Sequence, residues 1–296
     1  MPDVVSHQGL SFSRLVGYQW LGGEAIFGIP ISVSVSFVFL FVLFGSMLDQ
    51  AGGGRYFLNL AVALVGRFRG GPAKAAILAS GLTGMISGSS IANVVTTGTF
   101  TIPTMMRTGF SAVKAGAIEV AASVNGQIMP PIMGAGAFVM ASYTQIPYLQ
   151  IVSVSLLPAL LYFLTVAFFV RIEARRLQIP VDMDDKAPSI IDSLKSGWYF
   201  IVPLAVLIAS LIIGYTPVRS ATFSIIAVII VSWMTSIPMT MERCIDAILD
   251  ALRIMVPTVI LLVAIGLVVN VVTTTGLGNV FSMMIVDWAG GSLLFT

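Results

Sequence analysis

Long apolar stretches alternate along this chain with short charged, polar or proline-containing segments. The long stretches lie at 30–48, 148–170, 198–214, 218–237 and 254–274. Each approaches the roughly 20 apolar residues that cross a bilayer as a helix. The alternating ten-residue segments that are typical of a transmembrane barrel do not appear. The pattern therefore predicts an all-α polytopic membrane protein.

Two shorter apolar stretches, 75–87 and 91–102, cannot cross the hydrocarbon core as helices, because about 13 residues of helix measure only about 20 Å. The segment between them, ISGSSIAN at 86–93, is mostly small or polar, and basic residues lie at both outer ends. The pattern predicts a re-entrant helical hairpin with SGSS at its tip. Pro103 is predicted to end the second arm.

A second interruption follows the predicted hairpin. Pro130–Pro131 divides residues 114–143 and predicts a discontinuous helix. Residues 56–66 are predicted to form an interfacial helix. Residues 239–253 are predicted to form an amphipathic surface helix, separate from the span at 254–274.

The distribution of Lys and Arg residues tests this layout. The basic segments that the layout places on one side are 67–74, 107–114, 171–176 and 243–253. The segment SYTQIPY at 142–148, which it places on the opposite side, carries no charge. Because basic residues concentrate on the cytoplasmic side, the first set is predicted to be inside.

Composition excludes several classes of function. Of the 296 residues, 57% are hydrophobic and only 9% are charged, whereas a soluble domain carries about 25% charged residues. The net charge of +2 gives no reason to expect a nucleic-acid partner. A single cysteine, Cys244, and a single histidine, His7, leave no disulfide, no transition-metal cluster and no intramembrane catalytic constellation, so the chain is predicted not to be an enzyme and to need no cofactor.

The two interruptions are predicted to face each other, because an irregular backbone cannot face lipid. The last carbonyls of the first arm, near Ser87 and Gly88, are partly negative. Together with the hydroxyls of Ser89 or Ser90 and the amide of Asn93, they could surround a dehydrated cation. Neutral oxygens favour Na⁺ over divalent ions, which usually recruit carboxylates.

The remaining polar groups extend this candidate site. Asn125 and Gln127 would supply further neutral oxygens from the second interruption. The free N–H groups that begin the second arm carry positive potential and suit a substrate carboxylate.

Two features have a purely structural alternative. Ala76, Ser80, Gly84 and Gly88 recur every four residues, which is typical of close helix packing. That pattern does not require the consecutive polar residues at 87–93. Glu119 is either a snorkelling acid near the cytoplasmic rim or part of a proton or cation path.

Two segments resemble a known family. GGPAKAAILASGLTGMISGSSIANVVTTGTFTIPTMMRTGF at 70–110 and GQIMPPIMGAGAF at 126–138 are similar to the large membrane subunit of tripartite ATP-independent periplasmic (TRAP) transporters. The resemblance is to the fused permease type that works with TAXI-class binding proteins. It extends from about Phe27 to the end of the chain.

The resemblance implies an elevator-type secondary transporter in the cytoplasmic (inner) membrane of a bacterium or archaeon. A periplasmic solute-binding protein of the TAXI type would deliver a small organic anion, such as a carboxylate, and Na⁺ would drive its uptake by symport. The alternatives are a channel-like or non-functional fragment of such a permease. The implied substrate and cation residues are Ser87, Gly88, Ser89, Ser90, Asn93, Asn125, Gly126, Gln127 and Pro130, with Glu119 as a candidate for an ion path.

The family has two inverted repeats, and this sequence shows one hairpin and one discontinuous helix. Four segments are predicted: 1–66, an N-terminal scaffold span and interfacial helix; 67–146, the first half of the transport domain; 147–253, scaffold spans and a cytoplasmic loop; and 254–296, the start of a truncated second repeat. The chain is thus expected to be an internal fragment.

Overall fold

The computed structural model describes residues 9–66, 68, 70–179, 189–235 and 237–288. Across these residues the regular structure is helical throughout. The helices are α1 (Phe12–Val16), α2 (Ile29–Val33), α3 (Phe39–Gln50), α4 (Gly53–Val65), α5 (Gly71–Ser87), α6 (Ser90–Arg107), α7 (Ala112–Asn125), α8 (Ala135–Thr144), α9 (Tyr148–Arg176), α10 (Ile190–Lys195), α11 (Ile201–Ile213), α12 (Pro217–Ser232), α13 (Met241–Thr274) and α14 (Leu277–Trp288). Short π-helical turns occupy Gly17–Leu21 and Ser34–Val38, and short 3₁₀ turns occupy Gly126–Ile128 and Trp198–Phe200.

Three helical segments within the described ranges are long and apolar enough to cross a bilayer: Ile29–Gln50, Tyr148–Arg176 and Met241–Thr274. Shorter apolar helices lie at Gly53–Val65, Trp198–Ile213 and Pro217–Ser232. The prediction of an all-helical membrane protein is confirmed at this level. Each helix satisfies its backbone polar groups with its own hydrogen bonds, so its apolar side chains can face lipid.

The chain forms two compact units, one of residues 1–35 with 257–296 and one of residues 36–256. In the first unit the backbone near α2 approaches α13 closely. A Cβ on Gly266 would lie 2.4 Å from the carbonyl oxygen of Ala25, so glycine permits this approach. The candidate site lies wholly in the second unit.

A hairpin of two helices forms the centre of the second unit. Helices α5 and α6 run antiparallel, since Ser80 pairs with Thr97 and Thr83 pairs with Asn93. Helix α7 and the long helix α9 pack against this hairpin. Their shared apolar core consists of Ala73, Ala76, Ile77, Met105, Phe110, Ala115, Ile118, Ala122, Val170, Ala174 and Ile179.

The second interruption is longer than the sequence predicts. Helix α7 ends at Asn125, the chain forms a 3₁₀ turn at Gly126–Ile128, and α8 begins at Ala135. The peptide bond between Pro130 and Pro131 is cis. The predicted discontinuous helix is therefore present, with irregular backbone between its two halves.

Two predicted helix boundaries are wrong. Pro103 does not end the second arm, because α6 continues to Arg107. The predicted surface helix at 239–253 and span at 254–274 form the single helix α13, which contains Pro257. In both places proline lies inside a helix, which membrane proteins tolerate because neighbouring groups can satisfy the freed carbonyl. The predicted loop at 177–196 lies partly outside the described residues, as do the side chains of Arg67 and Arg69.

The antiparallel hairpin, combined with the Lys and Arg distribution, generates a testable topology. Single cysteines are placed at Phe68, Arg107, Arg175 and Thr144, all exposed, in a Cys244→Ala background. We expect a membrane-impermeant maleimide to label Phe68, Arg107 and Arg175 from the cytoplasm and Thr144 from outside. Labelling of positions 68 and 107 from opposite sides would contradict the hairpin topology.

Candidate functional site

The hairpin tip consists of two residues between helices. Gly88 adopts a positive φ of 60° after the last residue of α5, a conformation that favours glycine. Ser89 is extended, and its hydroxyl accepts a hydrogen bond from the backbone N–H of Ala92 at 3.3 Å. Ser89 is therefore the N-cap of α6, and the predicted SGSS tip is a tight helix-to-helix turn.

The tip packs directly against the second interruption. A Cβ on Gly88 would lie 2.5 Å from the carbonyl oxygen of Met133, and a Cβ on Gly134 would lie 3.1 Å from the carbonyl oxygen of Gly88. The side-chain amide of Gln127 donates to the Ser90 hydroxyl at 3.1 Å. The structure thus brings together the two helix interruptions, as the sequence predicts.

A glycine pair supports this junction one turn below the tip. A Cβ on Gly84 would lie 2.8 Å from the Cα atom of Gly126 and 2.9 Å from the amide nitrogen of Asn93. A Cβ on Gly126 would in turn lie 2.7 Å from the Cα atom of Gly84. The backbones of α5 and the interruption are therefore in direct contact, which only residues without a side chain permit.

The Asn93 side chain joins the two arms of the hairpin. Its amide nitrogen donates to the Ser80 carbonyl oxygen at 2.8 Å, and its amide oxygen accepts from the Thr83 hydroxyl at 2.6 Å. The residue is buried. Its predicted role as a cation ligand stays a prediction, and both polar atoms of its amide have protein partners.

Asn125 lies at the other side of the junction, at the last turn of α7. Its amide nitrogen donates to the carbonyl oxygen of Ala159 on α9 at 3.1 Å. Its amide oxygen is buried and has no hydrogen-bond partner among the described residues. Buried polar atoms usually have a partner, so this oxygen is the clearest unused neutral ligand beside the interruption.

The first residue of α9, Tyr148, helps to hold the interruption in place. The hydroxyl of Tyr148 lies against the carbonyl oxygens of Pro131 and Ile132. The backbone N–H of Gly134 donates to the carbonyl oxygen of Gln127 at 2.6 Å. These bonds satisfy carbonyl groups that the missing helix leaves free. Pro130 is half-buried within this segment.

Helices α5, α6 and α7, with the interruption that follows α7, form an assembly that we call the hairpin module. Glu119 lies in its centre and is fully buried. Its Oε1 atom accepts hydrogen bonds from Ser80 at 2.8 Å, from Ser123 at 3.2 Å and from Thr97. Its Oε2 atom accepts from Thr101 at 2.6 Å. One carboxylate thus connects α5, α6 and α7 through four hydroxyl groups.

The interpretation of Glu119 as a snorkelling acid is wrong. Lys114, which lies one and a half turns away on the same helix, pairs instead with Glu173 on α9. Sequence reasoning also missed the hydroxyl shell of Glu119. The available signal was spacing, because Thr97 and Thr101, like Glu119 and Ser123, are four residues apart and share a helix face.

Comparison with known proteins decides the family. The family profile described as "Tripartite ATP-independent periplasmic transporter, DctM component" matches residues 5–296. The chain belongs to the DctM family of TRAP transporters. This confirms the family resemblance of the two sequence motifs.

Curated relatives of this chain are also named as TRAP transporter large permeases. The chain is 26% identical over 235 residues to the C4-dicarboxylate TRAP transporter large permease protein DctM of Pseudomonas aeruginosa, covering 79% of this chain and 55% of that protein. It is 24% identical over 177 residues to a putative TRAP transporter large permease protein of Haemophilus influenzae, covering 60% and 41%. It is 33% identical over 91 residues to the Rhodobacter capsulatus DctM protein, covering 31% and 21%.

The chain thus spans about half the length of the Pseudomonas relative. These relatives are named as permeases, which are transport proteins rather than enzymes. The prediction that the chain is not an enzyme is confirmed on that ground.

The close contact of Gly84 with Gly126 predicts a large effect of a single methyl group. We expect Gly84→Ala to lower the free energy of unfolding by about 1–3 kcal/mol, because the Cβ would force the two backbones apart. Gly116→Ala on α7 is the matched control, since nothing lies within 4 Å of a Cβ there. We expect the control to be neutral or stabilising by less than about 1 kcal/mol. Denaturant unfolding in detergent micelles measures both, and equal stability of the two variants would contradict the contact.

Glu119 generates a second stability prediction. Glu119→Ala removes the carboxylate that accepts from the Ser80 and Ser123 hydroxyls, so we expect a loss of about 2–4 kcal/mol in unfolding free energy. The two threonine hydroxyls of the shell keep a backbone carbonyl as an alternative acceptor. Glu119→Gln retains one acceptor oxygen and should lose less. Val120→Ala, at an exposed position on the same helix, is the control and should change stability by less than about 0.5 kcal/mol. If Glu119→Ala unfolds like the control, the hydroxyl shell is not contributing to stability.

Proposed function

We propose that this protein is the membrane permease of a binding-protein-dependent secondary transporter that takes up a small organic anion with Na⁺. The observation that carries the proposal is the junction between the hairpin tip and the interruption of the second helix. Discontinuous helices that meet in this way form the substrate and ion sites of many secondary transporters. The relatives named for C4-dicarboxylates support a carboxylate as the substrate.

The junction offers electrostatic partners for both a cation and an anion. Helix α5 ends at Ser87, and its terminal carbonyl groups give that end partial negative charge. Helix α6 begins at Ser90, and its first N–H groups give that end partial positive charge. A cation and a carboxylate bound at one tip would neutralise each other, and that mutual stabilisation would couple their movements.

Neutral oxygens dominate the proposed cation site. The unpaired amide oxygen of Asn125, the hydroxyls at the tip and the terminal carbonyl groups of α5 are its candidate ligands. Such a set favours a monovalent ion such as Na⁺ over a divalent ion. Glu119 remains a candidate for an ion path, because it is the buried carboxylate of the same module and intramembrane carboxylates commonly serve ion movement.

The remaining parts of the proposal follow the resemblance. A TAXI-type solute-binding protein would deliver the anion at the outer face of the cytoplasmic membrane. The hairpin and the discontinuous helix would form half of the transport domain of an elevator-type transporter, built with an inverted repeat. The hairpin would be re-entrant, with its tip near the middle of the membrane.

Uptake of labelled C4-dicarboxylate into proteoliposomes tests this function. The whole gene product is reconstituted with its solute-binding protein, and a Na⁺ gradient, a proton gradient or neither is imposed. We expect accumulation with the Na⁺ gradient only. Ser90→Ala removes a hydroxyl at the junction and should raise the Na⁺ concentration for half-maximal uptake about 5- to 100-fold, the equivalent of losing one buried polar partner.

Thr99→Ala is the matched control, because it removes an exposed hydroxyl from the same helix. We expect its Na⁺ dependence to be unchanged. Counterflow of labelled substrate distinguishes a transporter from a channel, because a channel does not exchange substrate against a gradient. Accumulation that follows the proton gradient instead would reject Na⁺ coupling but retain the carboxylate site.

A further inference from the structure

One end of α9 carries a cluster of basic residues at the depth of lipid headgroups. The helix has 29 residues, which measure about 43 Å, whereas the hydrocarbon core is about 30 Å thick. The helix is therefore longer than the core is thick, and we expect its charged last turns to extend into the headgroup region. Arg171 and Arg175 lie on this extension and are exposed to solvent.

The basic residues at this end fall into two groups. Lys114 and Arg176 share the acid Glu173, with the Arg176 nitrogen 3.8 Å from that carboxylate. Lys74, Arg171 and Arg175 form no ion pair with an acidic side chain among the described residues. Among the described residues, this end of α9 thus carries more basic side chains than the acid Glu173 pairs with.

Lys74 lies close to both unpaired arginines. Partial burial, followed by the nearby charges of Arg171 and Arg175, lowers the pKa of Lys74. Its ammonium group also lies 5.7 Å from the ring centroid of Phe68. The three cations crowd one another, and a bound anion would relieve that repulsion.

The position of Lys74 is fixed by packing. A Cβ on Gly70 would lie 2.8 Å from the Cβ atom of Ala174, so the start of α5 lies directly against α9. Val170 and Ala174 are fully buried on the packed side of α9. The basic residues therefore converge because two helices are held together by their apolar core.

Apolar side chains lie beside the arginines on the exposed face of α9. Phe168 is 62% exposed and Ile172 is 52% exposed. Phe168 precedes Arg171 by three residues, and Ile172 precedes Arg175 by three, so each pair shares a helix face. Phe168 thus lies one turn towards the membrane from Arg171, and Ile172 lies between the two arginines.

We propose that Lys74, Arg171 and Arg175 bind the phosphate headgroup of an anionic phospholipid, whose acyl chains lie along Phe168 and Ile172. Basic clusters beside membrane helices attract anionic headgroups in this way. Arginine suits the role, because its planar guanidinium forms paired hydrogen bonds with phosphate oxygens. The adjoining apolar surface favours a lipid over a free phosphate ion, which has nothing to place there.

Adjacent arginines provide a sharp test. The purified protein in a neutral detergent is titrated with phosphatidylglycerol, and bound lipid is measured by native mass spectrometry. We expect Arg175→Gln to weaken binding about fivefold, and the triple variant Lys74→Gln, Arg171→Gln, Arg175→Gln to weaken it about 100-fold. Arg176→Gln removes the same charge one residue away, from the group paired with Glu173, and should leave binding unchanged.

Two competing ligands distinguish an anionic lipid from a neutral lipid and from a free anion. Phosphatidylcholine should bind the wild-type protein and the triple variant equally, and inorganic phosphate should not compete at millimolar concentration. Circular dichroism should show the same helicity in every variant, since the substituted arginines are exposed and Lys74 is only partly buried. Equal weakening by Arg175→Gln and Arg176→Gln, equal binding of the two lipids to the wild type, or full competition by inorganic phosphate would each overturn the proposal.

Discussion

A helix that is interrupted in apolar surroundings must find new partners for its freed backbone groups, and this requirement organises the second unit of the protein. The hairpin tip and the interruption after α7 meet the requirement together. Gly88 contacts Met133 and Gly134, while the Tyr148 hydroxyl reaches the carbonyl oxygens of Pro131 and Ile132. Because the two irregular segments pack against each other, backbone groups that the missing helix leaves free are satisfied within the protein.

Charge inside the module follows a similar rule. The carboxylate of Glu119 is surrounded by hydroxyl groups from three helices, so it is stabilised by hydrogen bonds instead of by an adjacent cation within the described residues. The acid Glu173, in contrast, lies at the end of α9 and pairs with Lys114. Burying a carboxylate without partners is costly. The buried Glu119 is accordingly surrounded by hydrogen-bond donors, whereas the ion pair lies at the end of α9.

The hairpin and the facing interruption could be predicted from sequence because their signals are local. A polar run between two short apolar stretches interrupts a helix whatever surrounds it. A Pro–Pro pair does the same. The partners of Glu119 could not be predicted as a set, since three of the four lie 39, 22 and 18 residues away and meet only through the rotation of neighbouring helices.

Asn93 shows the same limit of sequence reasoning. It is four residues beyond Ser89, which places it one turn below the tip, and its amide faces Ser80 and Thr83 of the opposite arm. Residue type and proximity in sequence predict a ligand, and that role stays a prediction. Sequence alone could not show that helix rotation brings the Asn93 amide against the opposite arm. The family assignment was more robust, because it rests on long motifs instead of on any one side chain.

The position of α9 bears on which elements would move together in the proposed transport cycle. Sequence alone groups this helix with the scaffold, at a boundary between residues 146 and 147. In the structure it contacts α7 and the interruption after α7 at three levels: Glu173 with Lys114 at one end, the Ala159 carbonyl with Asn125 in the middle, and Tyr148 with the Pro131 carbonyl at the other end. Sliding α7 and the interruption past α9 would break all three contacts and leave polar groups without partners. A rigid-body displacement of α7 and the interruption, together with the hairpin packed against them, therefore costs least when α9 moves with them.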